Sequence, residues 1–123
     1  MGPSRTKLFI AEDDPAVRRS LQLLLHGHGY EVRAFATGAA LLADPSAEEA
    51  ACIIVDYRLP DGTGLDVLRA LRKRGWDGPA LLITAFPSSG LTAQAHAEGF
   101  CDVIEKPLLD QSLSQTVDRL TGR

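Results

Sequence analysis

Cys52-Ile53-Ile54-Val55 is an unbroken apolar run closed by Asp56, and the turn-forming stretch Pro60-Asp61-Gly62-Thr63-Gly64 follows it closely. Consecutive Ile and Val without polar alternation suit a strand covered on both faces, as in a parallel sheet lying between helices. Three other runs end in the same manner. Leu8-Phe9-Ile10-Ala11 leads into Glu12-Asp13-Asp14, Ala80-Leu81-Leu82-Ile83 into Thr84, and Val103-Ile104 into Glu105-Lys106-Pro107. In a parallel sheet these ends share one edge. Carboxylates, a hydroxyl and an ammonium then converge there.

Helical patterns separate the runs. Asp14-Pro15 reads as an N-cap with proline at the first helical position, and Val17, Leu21, Leu24 and Leu25 recur on one face before Gly27 and Gly29. Residues 30–35 alternate, as an edge strand does, and Thr37 can cap a short helix through Leu42, stopped near Pro45. After Asp56 a loop leads to a helix over 64–74, closed by Gly75. Residues 90–98 form an Ala-rich, weakly apolar helix, and Leu109, Leu113, Val117 and Leu120 stripe a last helix over 109–120. Five βα repeats with right-handed crossovers predict an α/β fold with one doubly wound, five-stranded parallel sheet, helices on both faces. A weak second strand at the edge favours the order 2-1-3-4-5, the flavodoxin-like arrangement. Its switch point lies between strands one and three, where Asp13 and Asp56 stand.

A chain of 123 residues with 45% hydrophobic and 24% charged residues suits one soluble domain with one good core. The net charge of −3 gives no electrostatic reason for nucleic-acid or membrane contact. No apolar stretch spans a bilayer and no secretory core opens the chain, so the expected compartment is the cytoplasm. Residues 1–6 read as a disordered leader, 7–121 as the domain and 122–123 as a tail. Cys52 and Cys101 read as buried small hydrophobes. A strand between them sets them about 10 Å apart, too far for a disulfide.

Glu12, Asp13 and Asp56 are hard oxygen ligands suited to Mg²⁺. Asp56 can act as a nucleophile, because carboxylates form acyl phosphates. Lys106 can pair with it before reaction and with a phosphoryl oxygen afterwards, while Thr84 can donate its hydroxyl to another. Ala85 leaves its backbone N–H accessible. Singly, each residue has a bland reading: a capping Asp, a wet loop, a strand exit before a helix. Jointly they point to phosphoryl chemistry. His26, His28 and His96 read as surface residues, and Arg18 and Arg19 as a solvated helix face. Ala16 and Ser20 are small enough to let a partner helix approach.

Phe9-Ile10-Ala11-Glu12-Asp13-Asp14-Pro15 with Arg18, Ile54-Val55-Asp56 with Pro60 and Gly64, Ile83-Thr84-Ala85, and Ile104-Glu105-Lys106-Pro107 together resemble a bacterial two-component response-regulator receiver domain, over about residues 7–121. The resemblance implies that Asp56 accepts phosphate from a sensor histidine kinase or a histidine phosphotransferase. It implies direct Mg²⁺ binding by Asp13, Asp56 and the backbone carbonyl of Arg58, with Glu12 acting through water. Lys106 and Thr84 would read the phosphoryl group, and the Lys106-Pro107 bond would be cis. The implied output is a single-domain regulator or a DNA-binding one. Such a domain is a signalling module and catalyses only its own phosphorylation and dephosphorylation. A phosphorylation-promoted homodimer through the fourth and fifth helices is also implied.

One position departs from the family pattern. The family commonly has an aromatic three residues before the lysine, and this chain has Val103. Valine has no rotamer that could report burial as the aromatic does. The expected exit for the signal is therefore the 84–90 loop and the fourth helix. Arg58 and Phe86 stand where the family tunes loss of phosphate; Phe86 either shields an acyl phosphate or packs on Arg58. The competing reading is a degenerate receiver that binds partners without phosphorylation. An Asp-nucleophile phosphohydrolase would want an acid where Arg58 stands. A flavin protein would meet a repellent acidic loop after the first strand.

Overall fold

The four apolar runs and the edge segment 30–35 pair as parallel strands in a computed structural model that describes residues 6–107 and 112–122. In chain order the elements are β1 (Lys7–Ala11), α1 (Pro15–Gly27), β2 (Glu31–Phe35), α2 (Gly38–Ala43), β3 (Cys52–Asp56), α3 (Gly64–Lys73), β4 (Ala80–Thr84), α4 (Ser89–Glu98), β5 (Asp102–Glu105) and α5 (Ser112–Thr121). The sheet order is β2-β1-β3-β4-β5, as the sequence predicts. A short antiparallel ladder, Arg58–Leu59 against Gly62–Thr63, occupies the stretch expected to be loop.

Both faces of the sheet are covered, which explains why the strands lack polar alternation. Phe9, Ile53, Val55 and Leu82 face a core with Leu41, Leu68, Leu71 and Trp76. Leu8, Ile10, Ile54, Leu81 and Ile83 face the opposite core with Leu21, Leu25, Leu113 and Val117. Register sets the functional edge. Ala11 pairs with Val55 and Asp56 with Ile83, so β1, β3 and β4 end nearly level.

Local capping starts the helices. The Asp14 carboxylate accepts from the N–H groups of Ala16 and Val17, and Pro15 occupies the first turn. Thr63 and Asp66 form a reciprocal capping box at α3. The Ala-rich segment is helical although only Ala95 on it is buried; the Ser88 hydroxyl caps its start and Gly99, at φ 110°, ends it. Leu109, the expected first residue of the last helical stripe, lies outside the described residues.

Three readings need correction. Cys101 is exposed rather than buried, because it precedes β5 in the turn after Gly99; Cys52 is buried as expected, and burial pushes its thiol up to about 12. Both cysteines are free. β2 is half-buried along its whole length instead of alternating, since helices approach both sides of this edge. Arg18 is half-buried and reaches back to the Glu12 carbonyl just past β1, so it does not belong to a purely solvated face. His26, His28 and His96 are exposed. Among the described residues no helix is long and apolar enough to cross a membrane.

Candidate functional site

The β1 exit supplies two acids with opposite environments. Glu12 is fully buried, while Asp13, the next residue, faces solvent. The Glu12 backbone N–H still donates to Phe35 O at 2.9 Å, which holds the turn onto β2. Its Oε2 accepts from the Asp14 N–H at 3.1 Å. Asp56 closes β3 at 5% exposure, and its Oδ1 accepts from the Arg58 N–H at 3.2 Å. Thr84 closes β4 at 4% exposure, and its hydroxyl oxygen accepts from the Phe86 N–H at 3.1 Å. That leaves the hydroxyl proton available for donation.

Lys106 comes in from β5. Its backbone N–H donates to Thr84 O at 2.8 Å, which fixes where the side chain departs. The ammonium donates to Asp56 Oδ2 at 2.7 Å and to Glu12 Oε1 at 2.8 Å. Burial pushes Glu12 up to about 7, opposed by the Lys106 hydrogen bond and reinforced by neighbouring Asp56. Burial also opposes the charge on Lys106, but its hydrogen bonds to Asp56 and Glu12 more than offset this and hold its pKa above the ordinary lysine value.

Carboxylate oxygens of Glu12, Asp13 and Asp56 all lie within 4.8 Å of one another. Three carboxylates facing one ammonium leave negative charge in excess, and neighbouring Asp56 adds to the rise in the Glu12 pKa that burial chiefly causes. Hard oxygen donors clustered at an open rim fit a small divalent cation that keeps several waters. The cleft above them measures about 440 Å³ and is lined by Asp13, Asp56, Arg58, Thr84, Phe86 and Lys106, among others. Asp13, Asp56, Arg58, Thr84, Ala85, Phe86 and Lys106 therefore meet in one cleft, with Glu12 buried beside it against Lys106. Phe86 stands on its rim with 77% exposure, and Ala85 is also exposed. The Lys106-Pro107 peptide bond is cis. Val103 lies apart from the cleft, half-buried against the core that contains Phe9 and Leu82.

A family model described as the response regulator receiver domain matches residues 8–118. The chain belongs to the response-regulator receiver family. Receivers of this family work with histidine kinases in two-component signalling. Nodulation protein W of Bradyrhizobium diazoefficiens is 34% identical over 94% of this chain and 51% of its own length. Transcriptional regulatory protein FixJ of Azorhizobium caulinodans is 31% identical over 98% of this chain and 57% of its own. The chain thus spans about half the length of the curated relatives it matches. Among solved structures, a CheY-like receiver of Methanospirillum hungatei superposes with a TM-score of 0.88 at 25% identity, covering 97% of this chain and 95% of that one. Chemotaxis protein CheY4 of Vibrio cholerae gives 0.87 at 27% identity, covering 95% and 99%.

Arg18, matched with the family motif but otherwise read as a solvated face, and Asp61, read only as part of a turn, both build this receiver's site through contacts the sequence does not show. Arg18 Nη1 donates to Glu12 O at 2.9 Å and to Asp13 O at 3.4 Å. Asp61, beyond Arg58, accepts from the N–H groups of Gly38 at 3.1 Å and Ala39 at 2.8 Å, tying the Asp56 loop to α2. Neither contact leaves a periodic signal. The only hint for Asp61 is its place in a turn opposite a helix start that begins with glycine.

Proposed function

We propose that this receiver accepts a phosphoryl group on Asp56 from the phosphohistidine of a sensor kinase or histidine phosphotransferase, in a Mg²⁺-dependent reaction in the cytoplasm. The observation that carries the reading is the Lys106 ammonium shared between Asp56 and Glu12 at the mouth of a cleft that also holds Asp13 and Thr84. An Asp56 oxygen attacks phosphorus, the phosphorus–nitrogen bond breaks, and the imidazole leaves with the bonding pair and takes up a proton. The product is an acyl phosphate. Asp13, Asp56 and the Arg58 carbonyl would hold Mg²⁺, with Glu12 acting through water. The ion supplies charge neutralisation at the phosphoryl oxygens.

Lys106 exchanges its Asp56 oxygen for a phosphoryl oxygen, and the Thr84 hydroxyl donates to a second. The Phe86 N–H, which now donates to Thr84 Oγ1, links that movement to the 84–90 loop, exposed from Ala85 onward. Output then leaves through this loop and α4, with Val103 taking no aromatic switching role. Ala16 and Ser20 line a groove of about 480 Å³ beside Lys106, which supports approach of a phosphohistidine-bearing helix. The output is either this domain's own contacts or an attached DNA-binding domain, and phosphorylation-promoted pairing through α4 and α5 belongs to the same reading.

Incubation with Mg²⁺ and acetyl phosphate tests the proposal by intact mass. One added phosphate is expected in the wild type and none in Asp56→Asn. No adduct on the wild type, beside a control receiver that is modified, overturns it.

A further inference from the structure

The turn that presents Asp13 is held by side chains at every step. Glu12 takes the Asp14 N–H, Asp14 takes the N–H groups of Ala16 and Val17, and Arg18 takes the carbonyls of Glu12 and Asp13. The last contact differs from the others. It spans from the second turn of α1 back to the two residues that carry the exposed and the buried acid. Asp13 has no side-chain partner of its own among the described residues, so its carboxylate is aimed only by its backbone.

We infer that Arg18 is a positioning residue for the cation site: its guanidinium clamps the Glu12 and Asp13 carbonyls and thereby fixes the direction of both carboxylates. The inference rests on the Mg²⁺ reading above. One guanidinium nitrogen, Nη1, serves both carbonyls, at 2.9 and 3.4 Å, and the rigid guanidinium plane fixes its two N–H directions where a lysine ammonium would rotate. The cation's charge tolerates imprecise ligands poorly, since Mg²⁺ demands near-octahedral geometry. Loosening the Glu12-Asp13 backbone therefore weakens binding without removing any ligand. Groups that orient ligands from outside the coordination shell typically change metal affinity by about 10–100-fold.

Isothermal calorimetry of the whole chain with MgCl₂ tests this, using Arg18→Met, which keeps an aliphatic stem, and Arg18→Lys. The expected result is a Kd about 10-fold weaker in Arg18→Met, with Arg18→Lys recovering part of the loss. Thermal melting in chelator separates a structural role. A merely structural Arg18 lowers the metal-free midpoint and leaves the Mg²⁺ affinity of the folded variant at the wild-type value, and that result overturns the inference. If Arg18→Met does not fold, the wild type alone decides. Mg²⁺ should shift the Arg18 Nε–H resonance and leave that of Arg33 unmoved; an unshifted Arg18 signal overturns the clamp. A wild type that binds no Mg²⁺ sinks both readings, whereas equal binding by wild type and Arg18→Met sinks only this one.

Discussion

Lys106 Nζ stands 2.7 Å from Asp56 Oδ2, and this ion pair is the centre of the site's electrostatics. The same ammonium is 2.8 Å from Glu12, so one cation restrains two acids that enter from different strands. Removing it leaves both carboxylates facing each other in a largely buried place. Lys106→Met should lower metal-free stability at pH 8 by about 2 kcal/mol, less than the full cost of a broken buried pair because Glu12 can take up a proton. The loss should shrink at pH 5. Urea denaturation at the two pH values measures it, and an equal loss at both would falsify the shared-charge account.

Glu12 carries the clearest pH signature. Its carboxyl is raised from 4.5 to about 7, chiefly by burial. An acid with a raised folded pKa favours the fold below its unfolded pKa and progressively disfavours it as pH climbs from 4.5 through about 7. Glu12→Gln keeps an acceptor for Lys106 and removes the buried charge. It should stabilise the metal-free protein at pH 8 and leave stability at pH 4 unchanged. Carbon-detected NMR should place the wild-type midpoint near 7, and a midpoint near the ordinary glutamate value would refute the environment described.

Asp61 should titrate below the usual aspartate range. The N–H groups of Ala39 and Gly38 hold its carboxylate in the charged form. Because its folded pKa is depressed, the stability from the tie between loop and α2 is fully present above the unfolded pKa and is lost as pH falls through the folded one. Asp61→Ala should speed hydrogen exchange at Gly38 and Ala39 selectively. Unchanged exchange at those two amides would show that the helix start does not depend on Asp61.

Gly64 is required by close approach. A Cβ there would lie 2.5 Å from Asp56 O and 2.8 Å from Val55 Cγ2. Backbone cannot yield as a side-chain tip does, so Gly64→Ala should cost about 1–3 kcal/mol, the range for overpacking. It should also perturb the amide shifts of Asp56 and Tyr57. A variant as stable as wild type, with those shifts unmoved, would contradict the packing.

Much of the site was legible because strand ends are a local property. Asp56, Thr84 and Lys106 each close an apolar run, and parallel pairing carries every such end to one edge. Helix starts were equally legible at Asp14 and Thr37, where the capping side chain lies within three residues of the amide it serves. The short ladder at Arg58 and Thr63 was not, since two paired residues per side leave no periodicity to read.

The order of apolar runs and the residues that close them are enough to determine the doubly wound sheet and the set of acids, hydroxyl and ammonium along its edge. Only the tertiary structure decided how those groups differ. Glu12 and Asp13 are adjacent acids, yet one is buried under Lys106 and the other faces water. Arg18 looks like any helix-surface cation until α1 packs and turns its guanidinium onto the Glu12 carbonyl just past β1. Cys101 is as apolar as Cys52, yet a left-handed Gly99 turn leaves it outside. Burial, charge pairing and exposure depend on contacts between distant segments, and Lys106 meets Glu12 across 94 residues. Local pattern selects which groups arrive at the edge; packing sets the field in which Asp56 works.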